Sequence, residues 1–197
     1  MNFCLVKNLL LLGIRVKVDN QHKLPENVTL IFVANHQSLF DISPISWHFR
    51  KHKPKFVSKK ELGKGIPSVS YNLTHGGAAL IDRKNAKLAL VELGKFAKRI
   101  NKNNWSAVIF PEGTRSKNGK PKRFSANGLK MLTKYNPESY VVPLTINNSW
   151  KVFKYGNFPF GIGSPITIKT HAPIAVKALP FEELLTTVEQ TIINDIN

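Results

Sequence analysis

Four short apolar runs rich in β-branched residues punctuate this chain, at 28–34, 78–82, 106–110 and 140–146, and a weaker alternating run covers 164–170. Their length and their polar or turn-forming borders are those of strands buried in a sheet. Segments of helical periodicity fill the intervals, at about 39–51, 84–102, 125–135 and 180–194. The clearest is 84–102, where Leu88, Val91, Leu93, Phe96, Ala97 and Ile100 oppose Lys84, Lys87, Lys95, Lys98, Arg99 and Lys102. Strands alternating with helices predict an α/β layer architecture, a mixed or largely parallel sheet flanked by helices. A chain of 197 residues with 42% apolar content fits a single packed domain. We place that domain at 24–197, preceded by an apolar, amphipathic segment at 1–23.

The segment 1–12 is too short, and too interrupted by Lys7, to span a bilayer, and it lacks a small-residue cleavage site. Two readings stand for it: a helix packed on the domain, or one dipping into a membrane interface. No transmembrane segment is expected anywhere. The single Cys4 excludes an intramolecular disulfide framework and fits a reducing compartment. Lys and Arg number 29 against 12 acidic residues, a net charge of +17. Such a field suits an anionic partner: nucleic acid, an anionic membrane, an acidic carrier or a phosphorylated substrate.

Parallel strands put their loops on one rim, and in open α/β sheets ligands bind there, beyond the carboxyl ends of the strands. Two loops stand out. The run 28–34 leads into Asn35-His36-Gln37-Ser38-Leu39-Phe40-Asp41, and the run 106–110 leads into Pro111-Glu112-Gly113-Thr114-Arg115-Ser116. On a continuous helix His36 and Asp41 would point about 140° apart. They meet if His36 lies in the loop and Ser38 caps a helix whose third residue is Asp41. The carboxylate then fixes one imidazole tautomer and leaves the other nitrogen free to take a proton. The same residues also read as a plain capping box.

In the second loop Gly113 permits close backbone approach, Arg115 can clamp a phosphate, and Glu112 can orient Arg115 or bind a hydroxyl. A strand-to-loop turn with a surface ion pair is the bland alternative. Upstream, Gly76-Gly77-Ala78-Ala79-Leu80-Ile81-Asp82-Arg83 sets Arg83 at the head of the long basic helix, as a phosphate ligand or as a solvated charge.

Taken in order, these segments resemble the 1-acyl-glycerol-3-phosphate acyltransferase family of glycerolipid acyltransferases. That family is marked by His-x4-Asp, a Gly-rich segment ending in Ile-Asp-Arg, Phe-Pro-Glu-Gly-Thr-Arg-Ser, and an apolar strand with a central Pro, here Val141-Val142-Pro143-Leu144. Lys59-Lys60-Glu61-Leu62 followed by Ile66-Pro67 extends the likeness, which covers about residues 24–170.

The resemblance implies a glycerolphosphate acyltransferase-like fold and transfer of a fatty acyl group from acyl-CoA or acyl-carrier protein to the free hydroxyl of lysophosphatidate. Another lysolipid or hydroxylated acceptor is the second reading. His36 would be the general base and Asp41 its orienting carboxylate. Arg83, Glu112, Gly113, Thr114 and Arg115, with Lys59, would hold the acceptor's glycerol phosphate, and Pro143 would lie on the acyl-donor side. No cofactor, no metal and no acyl-enzyme are implied, and there is no Gly-x-Ser-x-Gly elbow.

Many members carry N-terminal membrane helices, whereas only 35 residues precede His36 here. A peripheral protein on the cytoplasmic, inner face of an anionic membrane is therefore expected. The dense basic stretch Arg50, Lys51, Lys53, Lys55, Lys59, Lys60 and Lys64 would meet that membrane, or an acidic carrier, with Trp47, Phe49 and Phe56 inserting beside it. Nucleic acid is not an expected partner, because no helix-turn-helix, RNA-recognition or finger signature is present and the His36–Asp41 pair would go unexplained.

Overall fold

In a computed structural model that describes residues 2–63, 67–82, 84–156 and 158–197, the alternation builds one eight-stranded sheet. Its strands are β1 (Val16–Asp19), β2 (Leu30–Ala34), β3 (Pro54–Lys59), β4 (Ala79–Ile81), β5 (Ser106–Ile109), β6 (Tyr140–Asn147), β7 (Ile166–Thr170) and β8 (Ile174–Ala175). The helices are α1 (Asn2–Asn8), α2 (Ile42–His48), α3 (Pro67–His75), α4 (Ala86–Lys102), α5 (Ala126–Tyr135) and α6 (Phe181–Ile193). The strand order is β1-β7-β6-β2-β5-β3-β4, with β8 also paired to β6. From β6 through β2, β5 and β3 to β4 every pairing is parallel; β7 and β8 pair antiparallel to β6, and β1 pairs parallel to β7.

Alternation along β2 divides the core in two. Ile31 and Val33 face a cluster with Phe96, Ile100, Leu129, Leu132 and Val188 from α4, α5 and α6. Leu30, Phe32 and Ala34 face another with Leu9, Ile14, Ile45 and Phe49. A strand covered on both faces is chiefly apolar, which is why β2 reads as an unbroken apolar run.

Pro143 sits in β6 opposite Val33, in the interior of the sheet. Its carbonyl accepts from the His171 N–H at 3.0 Å, and a residue's N and O point to the same side of a strand. The missing N–H therefore falls between the β8 pairing at Tyr140–Val141 and the β7 pairing at Leu144–Asn147, where no ladder bond is lost.

The structure departs from the sequence expectations in several places. The helix expected over 39–51 is a turn at Leu39–Asp41, then α2, then a turn at Arg50–His52. On α4, Leu93, Phe96, Ala97 and Ile100 point inward as expected, but Leu88 and Val91 are exposed. At about 100° per residue Val91 lies about 180° and Leu88 about 120° from the buried Ile100, so both turn away from the core. Phe49 and Phe56, expected to insert into a membrane, are buried in the core, and Trp47 packs on Phe3 at 4.8 Å and under the Arg50 guanidinium. The stretch 1–23 contributes β1 to the common sheet and buries Leu9 and Ile14, while Leu10 and Leu11 stay exposed.

Candidate active site

Because β2, β5, β3, β4 and β6 are parallel, their carboxyl ends share one rim, and the chemistry-bearing loops collect there. β2 delivers His36 and β5, its immediate neighbour, delivers 110–116. Lys59 closes β3, two strands from β2, roughly 10 Å away by strand spacing. Arg83 lies outside the described residues, and Asp82, just beyond β4, ends on the same rim.

His36 lies in the loop. Its Nδ1 is 2.8 Å from Asp41 Oδ2, and the ring is only 15% exposed. Ser38 caps the turn: its hydroxyl accepts from the Phe40 N–H, while Asp41 Oδ2 accepts from the Gln37 and Ser38 N–H groups at 2.7 and 2.9 Å. One carboxylate oxygen thus closes the capping box and holds the imidazole, so the two readings of this segment describe one structure. With Nδ1 committed, Nε2 is left without a hydrogen-bond partner among the described residues. Held in that tautomer, Nε2 can accept a proton.

Further contacts fix the ring and the loop that carries it. Phe110 stacks on it, with centroids 4.2 Å apart and planes at 20°. Asn35 forms a two-bond clamp to β6, donating to the Ile146 carbonyl at 2.8 Å and accepting its N–H at 2.7 Å. Gln37 Oε1 accepts the Ser149 N–H at 3.0 Å, and the Ser38 and Ser149 hydroxyls touch. Sequence reasoning missed Asn35, Gln37, Phe110 and Ser149. Asn35 and Gln37 directly flank His36, but their partners lie 111 and 112 positions away.

Glu112 differs from expectation. Its two oxygens accept the His36 N–H at 2.7 Å and the Lys122 N–H at 2.8 Å, and among the described residues it forms no ion pair with Arg115. Its carboxyl is held above the usual range by burial, against the pull of those two N–H groups. It ties the first loop to the second and lies behind the rim rather than open to it. The Ser116 N–H returns the tie by donating to the His36 carbonyl at 2.8 Å. Gly113 has φ +70°, left-handed backbone where a β-branched or bulky side chain would be strained, and a β-carbon there would meet nothing within 4 Å. Thr114 and Arg115 are exposed beside it, and Lys59 is exposed at its strand end.

Beneath these loops lies a cavity of about 220 Å³ lined by Val57, Ile81, Ala89, Leu90, Leu93 and Phe110, among others. It is largely apolar, and Phe110 forms both its wall and the seat of the His36 ring.

The sequence model of the family described as Acyltransferase matches residues 15–147, which takes in β1 to β6 and both loops. The chain belongs to the acyltransferase family. Among the members it resembles is a 1-acyl-sn-glycerol-3-phosphate acyltransferase of Helicobacter pylori, 36% identical over 126 residues, covering 62% of this chain and 50% of that one. A second, from Borreliella burgdorferi, is 27% identical over 179 residues, covering 91% of this chain and 69% of that one. The chain thus spans about half the length of the Helicobacter relative. The crystal structure of the 1-acyl-sn-glycerophosphate acyltransferase PlsC from Thermotoga maritima superposes with a TM-score of 0.79 at 28% identity, over 98% of this chain and 75% of that one.

Proposed function

We propose that this protein transfers a fatty acyl group from an acyl thioester to the free hydroxyl of lysophosphatidate, giving phosphatidate. The observation that carries the reading is the His36–Asp41 pair, bound through Nδ1 with Nε2 unpartnered among the described residues, its ring stacked on Phe110, which lines an apolar cavity. His36 Nε2 takes the proton of the acceptor hydroxyl as its oxygen attacks the thioester carbonyl. The C–O bond forms, the C–S bond breaks, and the imidazolium returns the proton to the departing thiolate. Asp41 holds the tautomer and balances the imidazolium charge; a positioned base of this kind contributes about 10²–10⁴-fold.

Arg115 and Arg83, with Lys59 and the Gly113–Thr114 backbone, are assigned to the acceptor phosphate. Glu112 is assigned a bracing role behind them. The cavity beside Phe110 is assigned to an acyl chain, with Pro143 in the strand that supports the base through β2. The donor is acyl-CoA or acyl-carrier protein, and no further cofactor is invoked. Acylation of another lysolipid would use the same base, and the exposed Arg115 is what favours a phosphate.

The proposed setting is the surface of an anionic membrane, where such acceptors reside; among the described residues no helix is long and apolar enough to cross one. The test is an acceptor and donor panel with the purified protein and vesicles. Acylation of lysophosphatidate above all other acceptors is expected. Preference for an uncharged acceptor would overturn the assignment of the phosphate site.

A further inference from the structure

Exposed apolar side chains gather beside the His36 loop on a face that the basic stretch 50–64 does not supply. Leu11, Phe158 and Ile162 are 86%, 84% and 74% exposed, and Leu10, Leu39 and Phe160 are also exposed. Isolated exposed hydrophobes are ordinary, but these are connected. The Gly163 N–H donates to the Leu12 carbonyl at 3.0 Å, joining the Leu9–Leu12 turn to the loop that carries Ile162. Phe160 packs edge-on against Phe153 at 5.6 Å, and Phe153 stacks on Phe40, next to Leu39, at 5.7 Å. Leu39 follows Ser38, whose hydroxyl meets Ser149 at the back of the site. These contacts link the Leu39 turn, the segment that carries Phe160 and Ile162, and the N-terminal turn to one another.

The segments that supply every residue of this face except Leu39 carry charge of one sign. The sequence holds no Asp or Glu from Met1 to Val18, and none from Ser139 to Phe181. Lys154 lies over the Tyr155 ring at 4.6 Å and Lys151 over Trp150 at 5.9 Å. Exposed apolar tips backed by cation-bearing Tyr and Trp suit the headgroup level of a bilayer, where rings with one wet end settle and anionic lipids draw lysine.

We propose that Leu10, Leu11, Leu39, Phe158, Phe160 and Ile162 form a docking face for an anionic lipid bilayer, which seats the His36 rim against the leaflet that holds the acceptor. The choice of a bilayer as occupant rests on the acyl-transfer reading; the existence of the face does not.

The test is co-sedimentation with vesicles of equimolar phosphatidylglycerol and phosphatidylcholine, with neither donor nor acceptor present. The variant Leu11→Ser/Phe158→Ser/Ile162→Ser changes only exposed side chains and should keep the wild-type Tm. Its vesicle partition should fall by about tenfold or more, because it removes the buried apolar anchors. Lys151→Gln/Lys154→Gln should weaken binding at low salt and little at high salt. With a lysophosphatidate short enough to stay monomeric, the triple variant should turn over as the wild type does.

Wild-type protein that ignores these vesicles would overturn the proposal, as would a triple variant that binds them equally. A concentration-dependent dimer lost in the triple variant would assign the face to a second copy of the chain instead. Vesicle binding that depends on the face, in a protein that acylates no acceptor, would retain the docking face and reject the acyl-transfer reading.

Discussion

The Glu112 carboxylate accepts the backbone N–H of His36 at 2.7 Å across 76 positions of sequence. Its other oxygen accepts the Lys122 N–H, so a single buried side chain ties the loop that carries His36 to the loop that carries Arg115. In Glu112→Gln the amide NH₂ would face one of those N–H groups, donor against donor. An unsatisfied buried donor costs about 1–3 kcal/mol. We expect a lower Tm and a turnover reduced about tenfold or more, with the KM for acceptor little changed. Wild-type turnover in this variant would remove Glu112 from the bracing role.

His36→Ala should abolish acyl transfer, a loss of about 10²–10⁴-fold, while leaving the fold intact, because the ring is bound through one side-chain hydrogen bond and one stacking contact. Asp41→Asn should behave differently. Asp41 Oδ2 also accepts two backbone N–H groups, so this variant loses both turnover and thermal stability. Steady-state kinetics beside calorimetry separate the two patterns.

Arg115 is exposed and unpaired with any acidic residue among the described ones. Arg115→Ala should therefore cost no stability and should raise the KM for a phosphorylated acceptor more than it lowers kcat. An unchanged KM would take Arg115 out of the acceptor site.

Ala89 lines the cavity beneath Phe110. Ala89→Phe should fill part of its 220 Å³ and shift acyl preference toward shorter chains, read as the ratio of kcat/KM for two donors that differ in length. Equal loss for all chain lengths would show that the cavity does not measure the chain.

His171, His48 and His52 are held below their ordinary 6.5, chiefly by burial. Each binds its proton less readily folded than unfolded. The stability they permit is present above about pH 6.5 and is lost as pH falls through that value toward their folded pKa. Tm should thus drop on acidification from pH 7.5 to 5, and His171→Gln should lessen the drop. A variant with the wild-type Tm profile would exclude His171 as a contributor.

Much of the rim was legible in sequence because parallel strands under helices advertise themselves. β2 is apolar throughout and β5 apolar but for Ser106, and the carboxyl ends of parallel strands share an edge, so sequence alone puts His36 and Glu112 on one side. β3 was not legible: it begins with Pro54 and carries Lys55 and Lys59, whose stems pass along the surface with Lys55 over Trp105. The inward faces of Phe49 and Phe56 were hidden by their basic neighbours, since charge density says nothing about which way an adjacent ring turns. Glu112's partners were illegible for another reason. A carboxylate bound to backbone N–H groups leaves no complementary side chain in the sequence to announce it.

The Asn35 clamp on Ile146 spans 111 positions. During synthesis the base and its carboxylate leave the ribosome together, yet the amide that aims them has nothing to grip until β6 has been made and has docked. Pairings of such long sequence separation are late and slow to form. A nascent chain stalled before residue 146 should hold the His36–Asp41 pair without acyl-transfer capacity, and the appearance of turnover should report arrival of the sixth strand. On the acyl-transfer reading, turnover would then time the docking of β6 as the chain folds.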